Sequence, residues 1–144
     1  MKLCMARVDG SLPLPTYHSA GAVAFDLYSR IDLIIPPFEV VIAPTNLIVE
    51  VPKGYVLLLQ SRSSLPIKKK LMVANSVGVI DQDYHGPEDE IGIELINFSK
   101  HDVAVARGER IAQAMLVSIA KIDEFVESDM SGDSSRGGFG STGS

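Results

Sequence analysis

The chain has 144 residues, 46% of them hydrophobic and 22% charged, with a formal net charge of −5. That length predicts one domain with a sizeable core, and the composition excludes a disordered chain. The acidic balance argues against a broad nucleic-acid-binding face, although Arg62, Lys68, Lys69, Lys70, Arg107, Arg110 and Arg136 could gather locally around an anion.

The first ten residues, "MKLCMARVDG", contain Asp9 and no long apolar run, so no ordinary signal peptide is expected. The single cysteine, Cys4, cannot form an internal disulfide, and no apolar span reaches eighteen residues. The expectation is a soluble cytoplasmic protein. From Gly10 to Gly108, Gly and Pro separate short segments rich in Val, Ile and Leu. "NLIVEVP" alternates, with Leu47, Val49 and Val51 on one face, and "EIGIELIN" does the same with Ile91, Ile93 and Leu95. "YVLLLQ" is a continuous apolar run, as in a strand buried on both faces. Many short strands at this spacing predict an all-β barrel or sandwich. One short helix is expected at "LPIKKKL", capped by Ser64 and with proline in its first turn. "RIAQAMLVSIA" fits strand or helix, and we read it as a strand like its neighbours. At Ser128 the composition changes: eleven of the last seventeen residues are Ser or Gly. The reading is a folded domain over 1–127 and a flexible arm over 128–144, in which one arginine and one phenylalanine suggest ordering over a ligand.

Several constellations could carry chemistry. In "LQSRSSLPIKKK", Arg62, Ser63 and Ser64 precede a helix start, which suits a phosphate chain; a plain cap followed by solvated lysines is the competing reading. The glycines of "RGGFGSTG" could let backbone amides approach phosphate oxygens, but no Gly-Lys-Ser/Thr follows as in a Walker A loop. A terminal segment without order competes here, weighed against an aromatic able to stack on a base. The acid-dense "GVIDQDYHGPEDE" admits a solvated hairpin, a cation site or a water-activating carboxylate. Asp81 and Asp83 would share one face of a strand, while Glu88, Asp89 and Glu90 follow Gly-Pro turn chemistry and read as a solvated tip. His18, His85 and His101 are scattered and one cysteine builds no zinc site, so a hard cation held mainly by substrate phosphates fits better. No Gly-x-Ser-x-Gly elbow is present, and no covalent mechanism is expected.

Five segments in order resemble the motifs of the trimeric dUTP pyrophosphatase (dUTPase) family: "AVAFDLYS", "SRSS", "NSVGVIDQDYHG", "RGERIAQAML" and "GGFGSTG". The resemblance spans nearly the whole chain. It implies a jelly-roll-like β-barrel that forms a homotrimer with active sites shared between subunits. It also implies Mg²⁺-assisted hydrolysis of dUTP to dUMP and pyrophosphate, which keeps uracil out of DNA and supplies dUMP for thymidylate synthesis. By position, Asp81 would activate the water attacking the α-phosphorus; a carboxylate of ordinary acidity is already ionised at neutral pH. Tyr84 would lie against the deoxyribose and exclude a 2′-hydroxyl. Asn75 and backbone groups at Gly78, Val79, Ile80 and Gly92 would read uracil. Arg62, Ser63, Ser64 and Gln113 would hold phosphates, and Asp26 would reach Mg²⁺ through water. From the arm, Phe139 would stack on uracil while Gly138, Gly140, Ser141 and Thr142 cover the phosphates.

This chain departs from the family pattern in three places. The hairpin "PEDEIGIELIN" is about two residues longer, and counting back from Asn97 puts the uracil-reading glycine at Gly92. Ser64 stands where glycine is commoner, which a negative φ would allow. The arm arginine is Arg136, directly before Gly137, whereas the family position three before the Gly-Gly pair is Ser134 here. A dCTP deaminase on the same fold would need a glutamate at the water-activating site, and a regulatory trimer that binds dUTP without turnover would not need an intact Asp81.

Overall fold

The computed structural model describes residues 1–129 together with Gly132, Ser134 and Gly137. Short runs of branched apolar residues form short strands, each stopped by a turn residue. In chain order they are β1 (Cys4–Arg7), β2 (Phe25–Tyr28), β3 (Leu33–Ile35), β4 (Val40–Pro44), β5 (Leu47–Glu50) and β6 (Tyr55–Gln60). Then come helix α1 (Leu65–Lys69), β7 (Leu71–Val73), β8 (Gly78–Ile80), β9 (Gly92–Asn97), β10 (Val103–Val105) and β11 (Arg110–Ser118). The expected all-β, jelly-roll-like architecture is what forms. A four-stranded sheet runs β2-β11-β6-β8, a three-stranded sheet runs β4-β9-β7, and β1-β5 and β3-β10 are two-stranded. Every pairing is antiparallel.

Alternation places the core. Leu47, Val49 and Val51 point inward, as do Ile91, Ile93 and Leu95, and all six are buried. β6 differs from its expectation. Leu57 and Leu59 are buried, but Val56 and Leu58 on the other face are only half-covered. Direct pairing puts Val79 of β8, Leu58 of β6 and Met115 of β11 in one outward row, with Val56 and Val117 beside it. The apolar run therefore has one face in the core and one outside it.

The helix forms where expected, although Ser64 does not cap it with its side chain. Ser64 has φ −84°, the negative value that lets a serine occupy this position. The helix ends at Lys70, in the left-handed region at φ 57°, whose N–H donates to the Pro66 carbonyl at 3.2 Å.

Near the N-terminus a surface loop is fixed by charge. Asp9 accepts bonds from the Ser11 N–H and hydroxyl at 2.8 and 2.6 Å and from Arg107 Nη2 at 2.6 Å. The Ser11 hydroxyl first, then the Arg107 guanidinium, hold the Asp9 carboxyl well below the usual aspartate range. Unfolded chains thus bind more protons at Asp9 than folded ones across that window. The contribution is complete above the ordinary aspartate range and is lost as pH falls through the lowered folded value. Thermal melts of wild type and Asp9→Asn should keep their full difference down to about pH 4 and draw together progressively below it; a gap independent of pH would contradict this.

Candidate active site

One group of chemically active side chains gathers where β2, β11 and the end of β6 meet. Asp26 of β2 lies opposite Gln113 of β11, which lies opposite Gln60 of β6. Asp26 is buried, and a buried carboxylate needs partners. Arg62 Nε donates to its Oδ1 at 2.7 Å; Arg110 Nη1 donates to Oδ2 at 3.2 Å, and His18 Nε2 lies 3.1 Å from the same oxygen. Gln113 Nε2 donates to the Ser61 carbonyl at 3.1 Å, one residue before Arg62.

Beside this cluster is a cleft of about 210 Å³ lined by Arg62, Ser64, Leu65, Lys68, Lys69, Glu109 and Arg110. Lys69 is neutralised by Glu109 at 2.6 Å, but Lys68 has no such partner among the described residues, and each arginine has N–H groups beyond the one on Asp26. The surplus of donors and positive charge suits an anion with several oxygens. Ser63 is exposed and is not part of the cleft lining.

A second group sits at the other end of β6. After β8 the chain turns, and the Tyr84 N–H donates to the Asp81 carbonyl at 3.4 Å. Gln82 Nε2 pins that turn by donating to the Tyr55 carbonyl at 2.9 Å. Asp81 and Asp83 are both exposed in this turn, so they do not share a strand face as expected. Among the described residues no cluster of three metal-binding side chains forms. Tyr84 is part-exposed, and its hydroxyl donates to the Glu90 carbonyl at 3.3 Å.

The backbone segments expected to read a base lie on open edges. β8 is the outer strand of its sheet, leaving one edge of Gly78, Val79 and Ile80 without a strand partner among the described residues. Beside β9, β7 reaches only as far as Val73 opposite Leu95 and the Ala74 N–H on the Glu94 carbonyl. Gly92 and Ile93 lie beyond it. Asn75 is exposed in the connection between β7 and β8. Gly78 packs closely on β6: a Cβ there would sit 3.0 Å from the Cβ of buried Leu59.

The acidic tip is not all solvated. Glu88 is exposed, but Asp89 Oδ2 accepts the Gly86 N–H at 2.6 Å and closes the turn. Glu90 is largely covered and forms a two-pronged ion pair with Arg30 at 2.8 and 2.9 Å. That pair, and the positions of His18 and Gln82, have no signal in the sequence, whereas Arg110 is among the basic residues expected to gather around an anion. Arg110 is three before Gln113, which regular alternation would put on the opposite face; the register irregularity of β11 between Arg110 and Ala112 brings it to Asp26. Arg136, Gly138, Phe139, Gly140, Ser141 and Thr142 lie outside the described residues.

A dUTPase family model matches residues 11–143. The chain belongs to the dUTPase family. It is 40% identical to the deoxyuridine 5′-triphosphate nucleotidohydrolase of Dictyoglomus turgidum over 99% of both chains. The dUTPase of Streptococcus mutans superposes with a TM-score of 0.77 at 31% identity, over 83% of this chain and 98% of that one. A Staphylococcus bacteriophage 80alpha dUTPase (G164S mutant, solved with dUpNHpp) gives a TM-score of 0.75 at 25% identity over 99% of both chains. The dUTPase reading makes this chain an enzyme and its activity deoxyuridine triphosphate nucleotide hydrolysis.

Within this dUTPase chain, Asp26 should matter to stability as well as to any ligand. Asp26→Ala would leave two guanidiniums facing each other without a counter-charge. Because Arg62 and Arg110 are partly exposed, we expect a loss of about 2 kcal/mol in urea denaturation. Arg62→Ala should cost less, since Asp26 retains Arg110 and His18.

Proposed function

We propose that the chain converts dUTP to dUMP and pyrophosphate at sites shared between copies of a homotrimer. The carrying observation is a separation. Gln82 holds the Asp81 turn at the Tyr55 carbonyl, and Gln113 marks the phosphate-binding group at the Ser61 carbonyl. These carbonyls are six residues apart on extended chain, about 20 Å at roughly 3.3 Å per residue. One α-phosphate cannot touch both ends of that span, so Asp81 of one copy works with Arg62 of another. The outward apolar row on β6, β8 and β11, and the exposed Val40, Ile42 and Met72 of the three-stranded sheet, supply surfaces that copies could cover.

Among the described residues the Asp81 side chain has no hydrogen-bond or ion-pair partner, so its carboxylate is available to take a proton from water as the water oxygen attacks the α-phosphorus. The bond from that phosphorus to the bridging oxygen breaks, and pyrophosphate leaves. Arg62, Ser63, Ser64 and Gln113 hold the phosphate oxygens. Mg²⁺ held by the triphosphate would neutralise its charge. Both Asp26 oxygens already accept from cationic side chains, which suits contact through water better than direct ligation.

The Tyr84 ring excludes a 2′-hydroxyl. The open edges at Gly78, Val79, Ile80 and Gly92, with Asn75, give uracil fixed backbone partners, so a base with the wrong donors would leave them unpaired. The arm over 128–144 covers the bound nucleotide through Arg136, Gly138, Phe139, Gly140, Ser141 and Thr142. The solution of a phage relative with dUpNHpp supports a deoxyuridine nucleotide as the ligand. The setting is cytoplasmic, where the reaction keeps uracil out of DNA and supplies dUMP for thymidylate synthesis. Among the described residues no helix is long and apolar enough to cross a membrane.

Pyrophosphate release measured on dUTP, dTTP, dCTP and UTP should be much the fastest on dUTP. Asp81→Asn should lower the dUTP rate by about 10²–10⁴-fold. Equal rates on dUTP and UTP would remove the Tyr84 role, ammonia release from dCTP would favour a deaminase, and an unchanged Asp81→Asn rate would end the mechanism.

Subunit sharing has its own test. Asp81→Asn and Arg62→Ala chains, each inactive, are unfolded together in equal amounts and refolded. Random assortment should restore activity to about a quarter of the sites. A mixture that stays inactive would mean that both residues must belong to one chain.

A further inference from the structure

The lengthened hairpin carries an anchor that the reaction described above does not use. Glu90 Oε1 accepts from Arg30 Nε at 2.8 Å and from the Asn46 N–H at 2.7 Å, while Oε2 accepts Arg30 Nη2 at 2.9 Å. Two-pronged arginine–carboxylate geometry fixes direction as well as distance. Its side chains are 29% and 16% exposed, so the pair is shielded from solvent more than a surface bridge is. The next residue continues the attachment: the Ile91 N–H donates to the Leu47 carbonyl at 2.9 Å, and the Ile91 carbonyl accepts the Thr45 N–H and hydroxyl at 3.0 and 2.7 Å. The far arm of the hairpin is therefore clamped to the β4–β5 turn immediately before Gly92.

Tyr84 is coupled to that clamp, because its hydroxyl donates to the carbonyl of Glu90 itself. One residue thus receives the ring at its backbone and the arginine at its side chain. Neither Arg30 nor Glu90 lies in the phosphate cluster or in the Asp81 turn. The remaining hairpin acids do other things: Asp89 closes the tip, and Glu88 faces solvent.

We propose that the Arg30–Glu90 pair is a positioning device that sets the Tyr84 ring and the Gly92 strand, and so the discrimination between deoxyribose and ribose nucleotides. The inference rests on the reading of Tyr84 as the sugar-facing wall. Neither residue touches substrate. They act through Tyr84, so their loss should move substrate choice more than fold stability, which the backbone bonds at Ile91 maintain.

The test measures kcat and KM for dUTP and UTP in wild type, Glu90→Gln, Arg30→Gln, Arg30→Lys and Glu88→Gln, with a melting temperature for each. Displacing a positioning group by about 1 Å can change rates by up to about 100-fold, and we expect the dUTP-over-UTP ratio to fall about tenfold in Glu90→Gln and Arg30→Gln. Arg30→Lys, which keeps the charge but loses the fork, should fall between them and wild type. Glu88→Gln should match wild type. Glu90→Gln retains an acceptor for the Asn46 N–H, so it and Arg30→Lys carry the test if Arg30→Gln does not fold. A wild type that prefers dUTP, with variants that melt lower yet keep the same ratio, would overturn the inference and leave the Tyr84 reading standing. A wild type that does not distinguish dUTP from UTP would remove both.

Discussion

The pairing of β6 with β11 on one side and β8 on the other determines where Asp81 and Arg62 can be. Backbone hydrogen bonding leaves no freedom in register once one face must be buried. Leu57 and Leu59 supply that face, and the pairings Leu57 with Ile80 and Leu59 with Gly78 follow. Asp81 must then emerge near Tyr55, and Arg62 must emerge at the opposite end. The missing side chain at Gly78 lets β8 lie closely over Leu59, and the backbone ladder to β6 holds it there.

At the Arg62 end, electrostatics governs. A buried carboxylate between two guanidiniums and an imidazole is a compromise between desolvation and attraction. Asp26 keeps two arginines close together without an anion present, which would otherwise cost repulsion. Their remaining N–H groups stay oriented, so under the proposed function a phosphate chain would meet a site already arranged, with little ordering left for the binding step. Lys69 is tied back by Glu109 and the Ala104 carbonyl, which focuses the positive charge on Arg62, Arg110 and Lys68.

Much of this was legible because strands declare themselves through alternation. Leu47, Val49 and Val51, and Ile91, Ile93 and Leu95, announced their inward faces, and the motif residues Asp26, Arg62 and Gln113 do come together. β6 differs from its expectation because five consecutive apolar or aromatic residues look alike whether the second face meets a core or an outside surface. Asp81 and Asp83 were placed on a strand because nothing in their spacing reveals that β8 stops at Ile80. Glu90 was the instructive miss. Local chemistry around Gly86-Pro87 says turn, and an acid in a turn says water. Its partner Arg30 is sixty residues away, and a long-range pair leaves no trace in either neighbourhood.

The hairpin tip shows how an added segment can be kept harmless. The Gly86 amide and the Asp89 carboxylate close the turn upon itself, and the next residue is fastened to the body of the domain. Residues gained or lost outside that fastening change only a solvent-facing loop. The strand beginning at Gly92 starts from the same fixed point whatever the loop's length. Evolution can therefore vary the tip as an ornament, while the strand proposed to meet the nucleotide is insulated from the change.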